Sequence, residues 1–284
     1  MSKIYDCFNF FNELDLLELR LDILNDYVDK FVIVESNKTF TSQDKKYNFD
    51  VNKKRYEKYL GKIIHVKVDD TPSNFENIQL HEIKCDLDII NNKIITHLNE
   101  STGWPKSQPQ WGVEIFQREC ILRGLIECDD DDIIIISDLD EIPNPIMFES
   151  LREDIIDNFI ELKQRMYCYQ FDLLKEVNWS GPKICEYKNL KGISLNHLRQ
   201  NKYTTKTITD GGWHFSFFGG HTTIIEKIES YSHQEYNRPH YKNNLSKNID
   251  SENDPFFRGK LTKVSIHDEY PEQVLEKITK YYNS

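Results

Sequence analysis

Four consecutive isoleucines at 133–136 constrain the fold more than any other feature of this sequence, because they lead directly into acidic residues. A short, fully apolar run of β-branched residues is typical of a strand buried on both faces, as in the parallel sheets of α/β proteins. The segment Ser137-Asp138-Leu139-Asp140 follows. Side chains alternate along an extended strand, so Asp138 and Asp140 are expected to face the same way, into a crevice at its carboxyl end.

Two carboxylates in one crevice repel each other, and a divalent cation relieves that repulsion. Oxygen-only ligands favour Mg²⁺ or Mn²⁺. An ion of this kind can also bridge to a diphosphate and act as a Lewis acid on a leaving phosphate. The sequence therefore predicts a metal and diphosphate site at Asp138 and Asp140.

Two further apolar strands are expected to end in polar residues. Residues 31–34 run into Glu35, Ser36 and Asn37, and residues 63–68 run into Asp69. In a doubly wound sheet, ligands collect outside the carboxyl ends of the strands. These four polar residues are therefore predicted to hold the base and ribose of a nucleotide.

The rest of the chain shows alternating helical and extended patterns. Helical periodicity predicts helices within residues 12–28, 75–98, 111–127, 223–231 and 271–282. Aromatic-rich strands are expected at 166–171 and 213–218. Because no internal repeat or linker separates these elements, we expect one domain with two functional halves that divide near residue 141.

Charge and composition restrict the partners. The 284 residues include 36 Lys and Arg against 47 Asp and Glu, which gives a net charge of −11. An acidic chain repels phosphate backbones, so no nucleic-acid partner is expected, and a phosphorylated ligand needs a cation or local basic groups. The sequence contains neither a run of about 18 apolar residues nor the pattern of a signal peptide. A cytoplasmic location, no transmembrane segment and free, mostly buried cysteines are expected.

Three functions are compatible with the acidic motif. The first is a nucleotide-sugar transferase. The second is a Mg²⁺-dependent phosphohydrolase of the haloacid-dehalogenase type, with Asp138 as nucleophile. The position of the strand in mid-chain and the Glu141-Ile142-Pro143 that follows favour the transferase. The third is a non-catalytic glycan-binding module with Trp213 and its aromatic neighbours as the platform.

Several ordered segments resemble glycosyltransferase family 17. They are the opening around Lys3–Phe8, the segment from Asn12 to Leu21, the segment Phe31–Phe40, and the two specific blocks Ser137–Pro143 and Gly211–Ser216. The resemblance covers nearly the whole chain. It implies a GT-A-type single domain over residues 1–284, an α/β fold with a Rossmann-like, mostly parallel central sheet flanked by helices.

The family resemblance also implies an activity. It is inverting transfer of a sugar, N-acetylglucosamine from its UDP donor, to a glycan hydroxyl, with Mn²⁺ or Mg²⁺ as cofactor. Residues 1–141 are expected to bind the nucleotide sugar and residues 142–284 the acceptor. The animal members of the family carry a membrane anchor and stem that are not found at the start of this sequence, which fits a microbial or viral origin.

Site residues follow from the resemblance together with the residue chemistry. The expected metal ligands are Asp138, Asp140 and His214. For the donor diphosphate, Arg118 and Arg258 are candidates, because arginine forks onto phosphate oxygens. Trp213 and Glu141 are expected near the acceptor, with Gly211-Gly212 allowing close backbone approach. The general base that inversion requires is predicted to be Glu235, with Asp210 as its rival.

Overall fold

The computed structural model describes residues 2–101, 103–105, 107–156, 158–200 and 202–282. Its strands are β1 (Ile4–Asn9), β2 (Lys30–Ser36), β3 (Ile63–Val68), β4 (Ile133–Asp138), β5 (Glu141–Pro143), β6 (Ile160–Cys168), β7 (Leu173–Glu186), β8 (Lys206–Ile208), β9 (Gly212–Ser216) and β10 (Thr262–Lys263).

The α-helices are α1 (Leu14–Leu24), α2 (Asn48–Val51), α3 (Asp86–Glu100), α4 (Pro109–Glu119), α5 (Leu151–Asp154), α6 (Leu195–Arg199), α7 (His221–Ser230), α8 (Pro239–Asp250), α9 (Ile266–Glu269) and α10 (Glu272–Tyr282). Short 3₁₀ helices occupy Lys53–Tyr59, Cys120–Gly124, Pro145–Glu149, Tyr187–Leu190 and Gln234–Tyr236. Among these helices, none has the length and apolar character needed to cross a lipid bilayer.

One continuous sheet organises the molecule, with the strand order β3-β2-β1-β4-β7-β6-β9-β5. The first four strands are all parallel. Each antiparallel pair among the described strands involves a strand that follows Asp140, namely β7 with β4, β6 and β10, and β5 with β9. The predicted α/β class, with a mostly parallel sheet flanked by helices, is confirmed.

The isoleucine run forms the central strand β4, as its sequence predicts. Ile133 and Ile135 belong to the core on one face of the sheet, which α1 and α10 cover. Ile134 and Ile136 belong to the core on the opposite face. The strand is therefore buried on both faces, which is why its sequence shows no polar alternation.

The boundaries of several elements differ from the sequence predictions. Helix α3 begins at Asp86 rather than near residue 75, and α4 ends at Glu119, where a 3₁₀ turn replaces the rest of the predicted helix. The helix and strand signals around 213–231 and 271–282 are confirmed. The longest strand, β7, has no counterpart among the predictions.

Candidate functional site

A cavity of about 570 Å³ opens where β1 and β4 end side by side. Asn9, the last residue of β1, is paired in register with Asp138, the last residue of β4, and both line the cavity. The wall also includes Arg118 from α4, His214 from β9 and Lys227 from α7. The cavity therefore lies at the carboxyl edge of the parallel strands and draws on both halves of the chain.

The two acids of the motif reach the cavity by a turn. Strand β4 ends at Asp138, Leu139 and Asp140 form a turn, and β5 begins at Glu141. Both carboxylates line the cavity as expected. Alternation along one extended strand, the reason expected from the sequence, is wrong, however. The strand stops at Asp138, and the turn brings Asp140 back to the same side.

A buried arginine holds this turn from the core side. Arg20 donates hydrogen bonds to the carbonyl oxygens of Asp138 (2.9 Å), Leu139 (3.0 Å) and Glu141 (2.9 Å). It also forks onto the Asp6 carboxylate at 2.8 and 2.6 Å. Because Arg20 and Asp6 are both fully buried, these bonds fix the direction in which the turn presents its acids.

Asp140 lies between two groups from the second half of the chain. Lys227 Nζ is 2.8 Å from its Oδ2, and His214 Nε2 is 3.6 Å from its Oδ1. Burial raises the pKa of Asp140, but the Lys227 ammonium and the His214 ring outweigh burial and hold that pKa well below its usual range. The carboxylate is therefore ionised throughout the physiological pH range.

Asp138 is more open and faces two arginines. Its side chain is 43% exposed, with Arg199 Nη2 at 3.2 Å from Oδ2 and Arg118 Nη2 at 3.5 Å from Oδ1. Burial opposes ionisation, yet Arg199 and then Arg118 lower the pKa of Asp138. The turn therefore carries two carboxylates, each with its own basic partners.

Glu141, expected near the acceptor, lies beneath the turn. It is fully buried and accepts hydrogen bonds from Trp179 Nε1 (3.0 Å), Arg199 Nη2 (2.8 Å) and the backbone N–H of Asp138 (3.0 Å). These bonds occupy the carboxylate inside the protein. Glu141 therefore orients Arg199 and Asp138 instead of contacting a ligand.

The residues at the turn fit a divalent metal. Asp140 Oδ1 and His214 Nε2 lie 3.6 Å apart, close enough to contact one ion, and both residues line the cavity. A carboxylate with an imidazole suits Mn²⁺ or Mg²⁺, and such ions take their remaining ligands from substrate phosphates and water. In the described ranges, no group of three or more His, Cys, Asp and Glu residues is arranged to hold a metal, so an ion here would need further ligands from substrate or water.

The four residues predicted to hold the base and ribose do not line this cavity. Glu35 is fully buried, and its carboxylate accepts hydrogen bonds from Lys45 Nζ (3.0 Å) and the backbone N–H of Phe49 (3.1 Å). Ser36 is buried, Asn37 is half-buried and Asp69 is exposed at the end of β3. The chain turns back after β2, so the next segment, residues 38–40, lines the cavity in their place.

Asp210 and Trp213 belong to a second cavity of about 390 Å³. Trp213 is only 3% exposed and packs on Tyr270 with a ring distance of 5.4 Å, so its faces are not open to a sugar. Gly212 does permit close approach, as expected: its φ is +139°, and a Cβ there would lie 2.1 Å from the Ile142 carbonyl oxygen. The group that approaches Gly212 so closely is the backbone of strand β5, however, and not a ligand.

Glu235 and Arg258 do line the large cavity, together with Arg118. Glu235 Oε1 accepts a hydrogen bond of 2.7 Å from His233 Nδ1. Arg258 is held by Asp254 at 2.9 and 3.0 Å, and its guanidinium lies 5.0 Å from the centre of the Phe256 ring. Both residues therefore extend the site into the second half of the chain.

Sequence reasoning missed three residues that shape the site: Lys227, Arg199 and Trp179. Trp179 lines the cavity from β7, a strand that was not predicted, and its ring lies 4.8 Å from that of His214. Lys227 falls inside the predicted helix at 223–231, but its isolated charge gave no functional signal. Arg199 lies on the five-residue helix α6, which is too short for periodicity to reveal.

Comparison with known proteins gives one family match. The model of glycosyltransferase family 17 matches residues 1–82 and 72–252. No curated protein is significantly similar in sequence.

Two solved structures show a distant likeness. The 4-diphosphocytidyl-2C-methyl-D-erythritol synthase from Anaerococcus prevotii is 12% identical with a TM-score of 0.35, and the match covers 84% of this chain and 99% of that one. The bifunctional IspDF from Campylobacter jejuni is 11% identical with a TM-score of 0.34, over 81% of this chain and 54% of that one. Both TM-scores are too low to support a conclusion about activity.

Proposed function

Because the chain belongs to glycosyltransferase family 17, we propose that it is a metal-dependent, inverting transferase that moves N-acetylglucosamine from UDP-N-acetylglucosamine to a glycan hydroxyl. The observation that carries this proposal is the acidic turn. Asp138 and Asp140 face one cavity at the carboxyl edge of the parallel strands, beside His214 and Lys227. An acidic chain can hold a diphosphate there because basic groups surround the two carboxylates.

The donor would lie across this turn. Lys38 and residues 39–40 line the cavity on the side of the parallel strands, and Arg118 reaches it from α4. Arg118 and Arg258 line the cavity and would bind phosphate oxygens of the donor, and Lys227 adds a point charge beside Asp140. A UDP-sugar carries two negative charges on its diphosphate, which matches this set of cations.

A bound metal would be held by Asp140 and His214. It would supply Lewis-acid neutralisation of the charge that develops on the leaving diphosphate. The protein's own part is to keep Asp140 ionised through Lys227 and to fix the turn through Arg20. Asp138 then remains free to hold Arg118 and Arg199 in position.

The acceptor would enter from the second half of the chain. Trp179, Tyr236 and Phe256 line that side of the cavity and offer ring faces or edges on which sugars pack. Inversion requires a group that takes the proton of the attacking hydroxyl. Of the two bases expected from the sequence, Glu235 lines this cavity, whereas Asp210 lines the second one.

Calorimetric titration of UDP and GDP with and without Mn²⁺ tests the proposal. We expect UDP to bind tightly only with Mn²⁺ and Asp140→Asn to weaken that binding at least about tenfold, since even outer-shell changes at metal sites cost about 10- to 100-fold. Asp130→Asn is the matched control, because Asp130 is an exposed acid that pairs with Lys191 away from the cavity.

Other results would identify a different function. Equal UDP binding without metal would contradict metal dependence, and tighter GDP binding would contradict the donor. Release of phosphate from simple esters without a sugar acceptor would favour the phosphohydrolase. Metal-free glycan binding that survives Asp140→Asn, with no nucleotide binding, would favour the glycan-binding module.

A further inference from the structure

A histidine and a glutamate form a hydrogen-bonded pair on the wall of the large cavity. His233 Nδ1 lies 2.7 Å from Glu235 Oε1, and both residues line the cavity. Their side chains are 49% and 48% exposed, so both are open to a ligand. A carboxylate at Nδ1 favours the tautomer that carries its proton there, which leaves a lone pair on Nε2.

Aromatic neighbours hold the imidazole ring in place. The Trp111 ring meets it edge to face at 4.7 Å and 86°, and the Tyr231 ring lies 5.7 Å away. Within the described part of the chain, the hydrogen bond of the His233 side chain involves Nδ1 and not Nε2. The Nε2 atom therefore has a fixed position and a free lone pair.

Most other acids on the cavity wall already form ion pairs with lysine or arginine. Glu114 pairs with Arg118, Glu13 and Asp140 pair with Lys227, and Asp138 lies beside two arginines. Each of these carboxylates therefore already has a cationic partner, whereas a general base needs an atom that is open to the acceptor hydroxyl. Glu176 on β7 also lines the cavity and shows no ion pair in the described ranges, so it is the rival to the His233–Glu235 pair.

We propose that His233 is the general base of the transfer and that Glu235 is its positioning residue. This inference rests on the proposed function and deepens it. The acceptor hydroxyl proton moves to His233 Nε2 as the hydroxyl oxygen forms its bond to the anomeric carbon. The bond from that carbon to the diphosphate oxygen breaks, and its electron pair leaves with UDP. The imidazolium, stabilised by the Glu235 carboxylate, returns its proton to water after the products leave.

The test measures UDP release from UDP-N-acetylglucosamine with Mn²⁺, with water as the acceptor hydroxyl. We expect His233→Ala to lower kcat by about 10²- to 10⁴-fold, the usual contribution of a general base. KM for the donor and calorimetric UDP affinity should stay unchanged, because the base acts on the acceptor. Added imidazole should restore part of kcat in His233→Ala, and His240→Ala, an exposed histidine outside the cavity lining, should behave as wild type.

Glu235 needs a separate readout because its role is indirect. Glu235→Gln should lower kcat less than His233→Ala does, without changing donor KM. Glu235→Asp should recover part of the loss, and imidazole should rescue neither variant, since the imidazole ring is still present in both. This separation of kcat from KM distinguishes positioning from general damage to the fold.

Two results would overturn the inference, and they are distinguishable. If wild type turns over while His233→Ala matches it and Glu176→Gln loses activity, the base is Glu176 and only this inference fails. If wild type binds no UDP and releases none from the donor, the proposed function fails and this inference fails with it.

Discussion

At the scale of single residues, one buried guanidinium links the fold to the site. Arg20 lies on α1, yet it bonds to three carbonyl oxygens around the acidic turn, to Ser137 Oγ at 2.6 Å and to Asp6. Its guanidinium also lies 4.4 Å from the centre of the Phe8 ring. Removing any part of this arrangement leaves buried polar groups without partners, which is costly.

We expect Arg20→Lys to lower the free energy of unfolding by about 3 to 5 kcal/mol, the usual cost of breaking a buried charged network. Lysine keeps the charge, but one nitrogen cannot reproduce the fork onto Asp6 and the contacts with the turn. Urea unfolding measures the change. Arg55→Lys is the control, since Arg55 pairs with Asp15 and Glu18 near the surface, where the expected loss is at most about 1 kcal/mol. Equal losses for both variants would contradict the role given to Arg20.

Residue chemistry and the family resemblance together predicted only part of the site. Arg118, Asp138, Asp140, His214, Glu235 and Arg258 were predicted and line the cavity. The acids could be found because they directly follow a buried strand. Arg20 and Lys227 could not be found, because each lies within a helix and is brought to the turn only by packing between distant elements. Glu35 was predicted at the site but does not line the cavity, because its carboxylate bonds instead to the loop that follows β2, at Lys45 and Phe49.

At the scale of elements, the hairpin of β6 and β7 builds one wall of the large cavity. Strand β7 spans fourteen residues and brings Lys175, Glu176 and Trp179 to the cavity. Its sequence contains Gly181-Pro182, which ordinarily argues against a strand interior. The register shift between Glu161 and Lys163 lies opposite this dipeptide, so a bulge accommodates it. The bulge leaves no signal in the hydrophobic pattern of the sequence, and for this reason β7 was not predicted.

The same hairpin contains a buried ion pair that gives a pH prediction. Burial opposes ionisation of Glu161, but hydrogen bonds from Lys183 and Ser180 lower its pKa from 4.5 to about 2. A lowered pKa stabilises the fold above pH 4.5, and that stabilisation is lost as the pH falls towards 2. We expect the loss to reach about 3 kcal/mol over this window.

Urea unfolding of wild type and Glu161→Gln between pH 7 and pH 3 measures this contribution. The variant should be less stable at pH 7, and the difference between the two proteins should shrink as the pH falls. Glu57→Gln, at an exposed position on a 3₁₀ helix, is the control and should follow wild type. A difference that stays constant with pH would show that Glu161 does not titrate in this window.

At the scale of the whole molecule, the parallel part of the sheet was easier to predict from the sequence than the part that contains the antiparallel pairs. The parallel strands β2, β3 and β4 were predicted because each contains a short apolar run that ends in polar residues, whereas β1 was not predicted. Strands β5 to β10 could not be predicted as a set, because their pairing joins segments far apart in the chain, such as β9 with both β5 and β6. The cavity lies where these two regions of the sheet meet.

Thiol reactivity gives a measure of the folded state as a whole. All six cysteines are free, as expected; Cys85 is exposed, Cys128 is half-buried and the others are buried. Burial raises the pKa of Cys168 to about 12, so almost none of it is thiolate at pH 8. We expect one thiol to react rapidly with Ellman's reagent in the native protein and six in guanidinium chloride.

The Cys85→Ser variant identifies that rapid thiol, because it should lose the fast phase and keep the slow ones. Cys7, Cys120 and Cys185 lie in the sheet core and should react only after global unfolding. Rapid labelling of any of these three in native buffer would contradict the packing described here.

The residues that line the cavity are far apart in the sequence, from Asn9 to Arg258, and this separation matters while the protein is being synthesised in the cell. While the chain is being translated, the parallel strands leave the ribosome before His214, Glu235 and Arg258 have been made. A nascent chain therefore has a sheet edge and an acidic turn but only half of a binding site. A ligand of this cavity therefore cannot assist the early folding of the chain, so the hydrophobic core must form first, and the ligand can stabilise only nearly finished molecules.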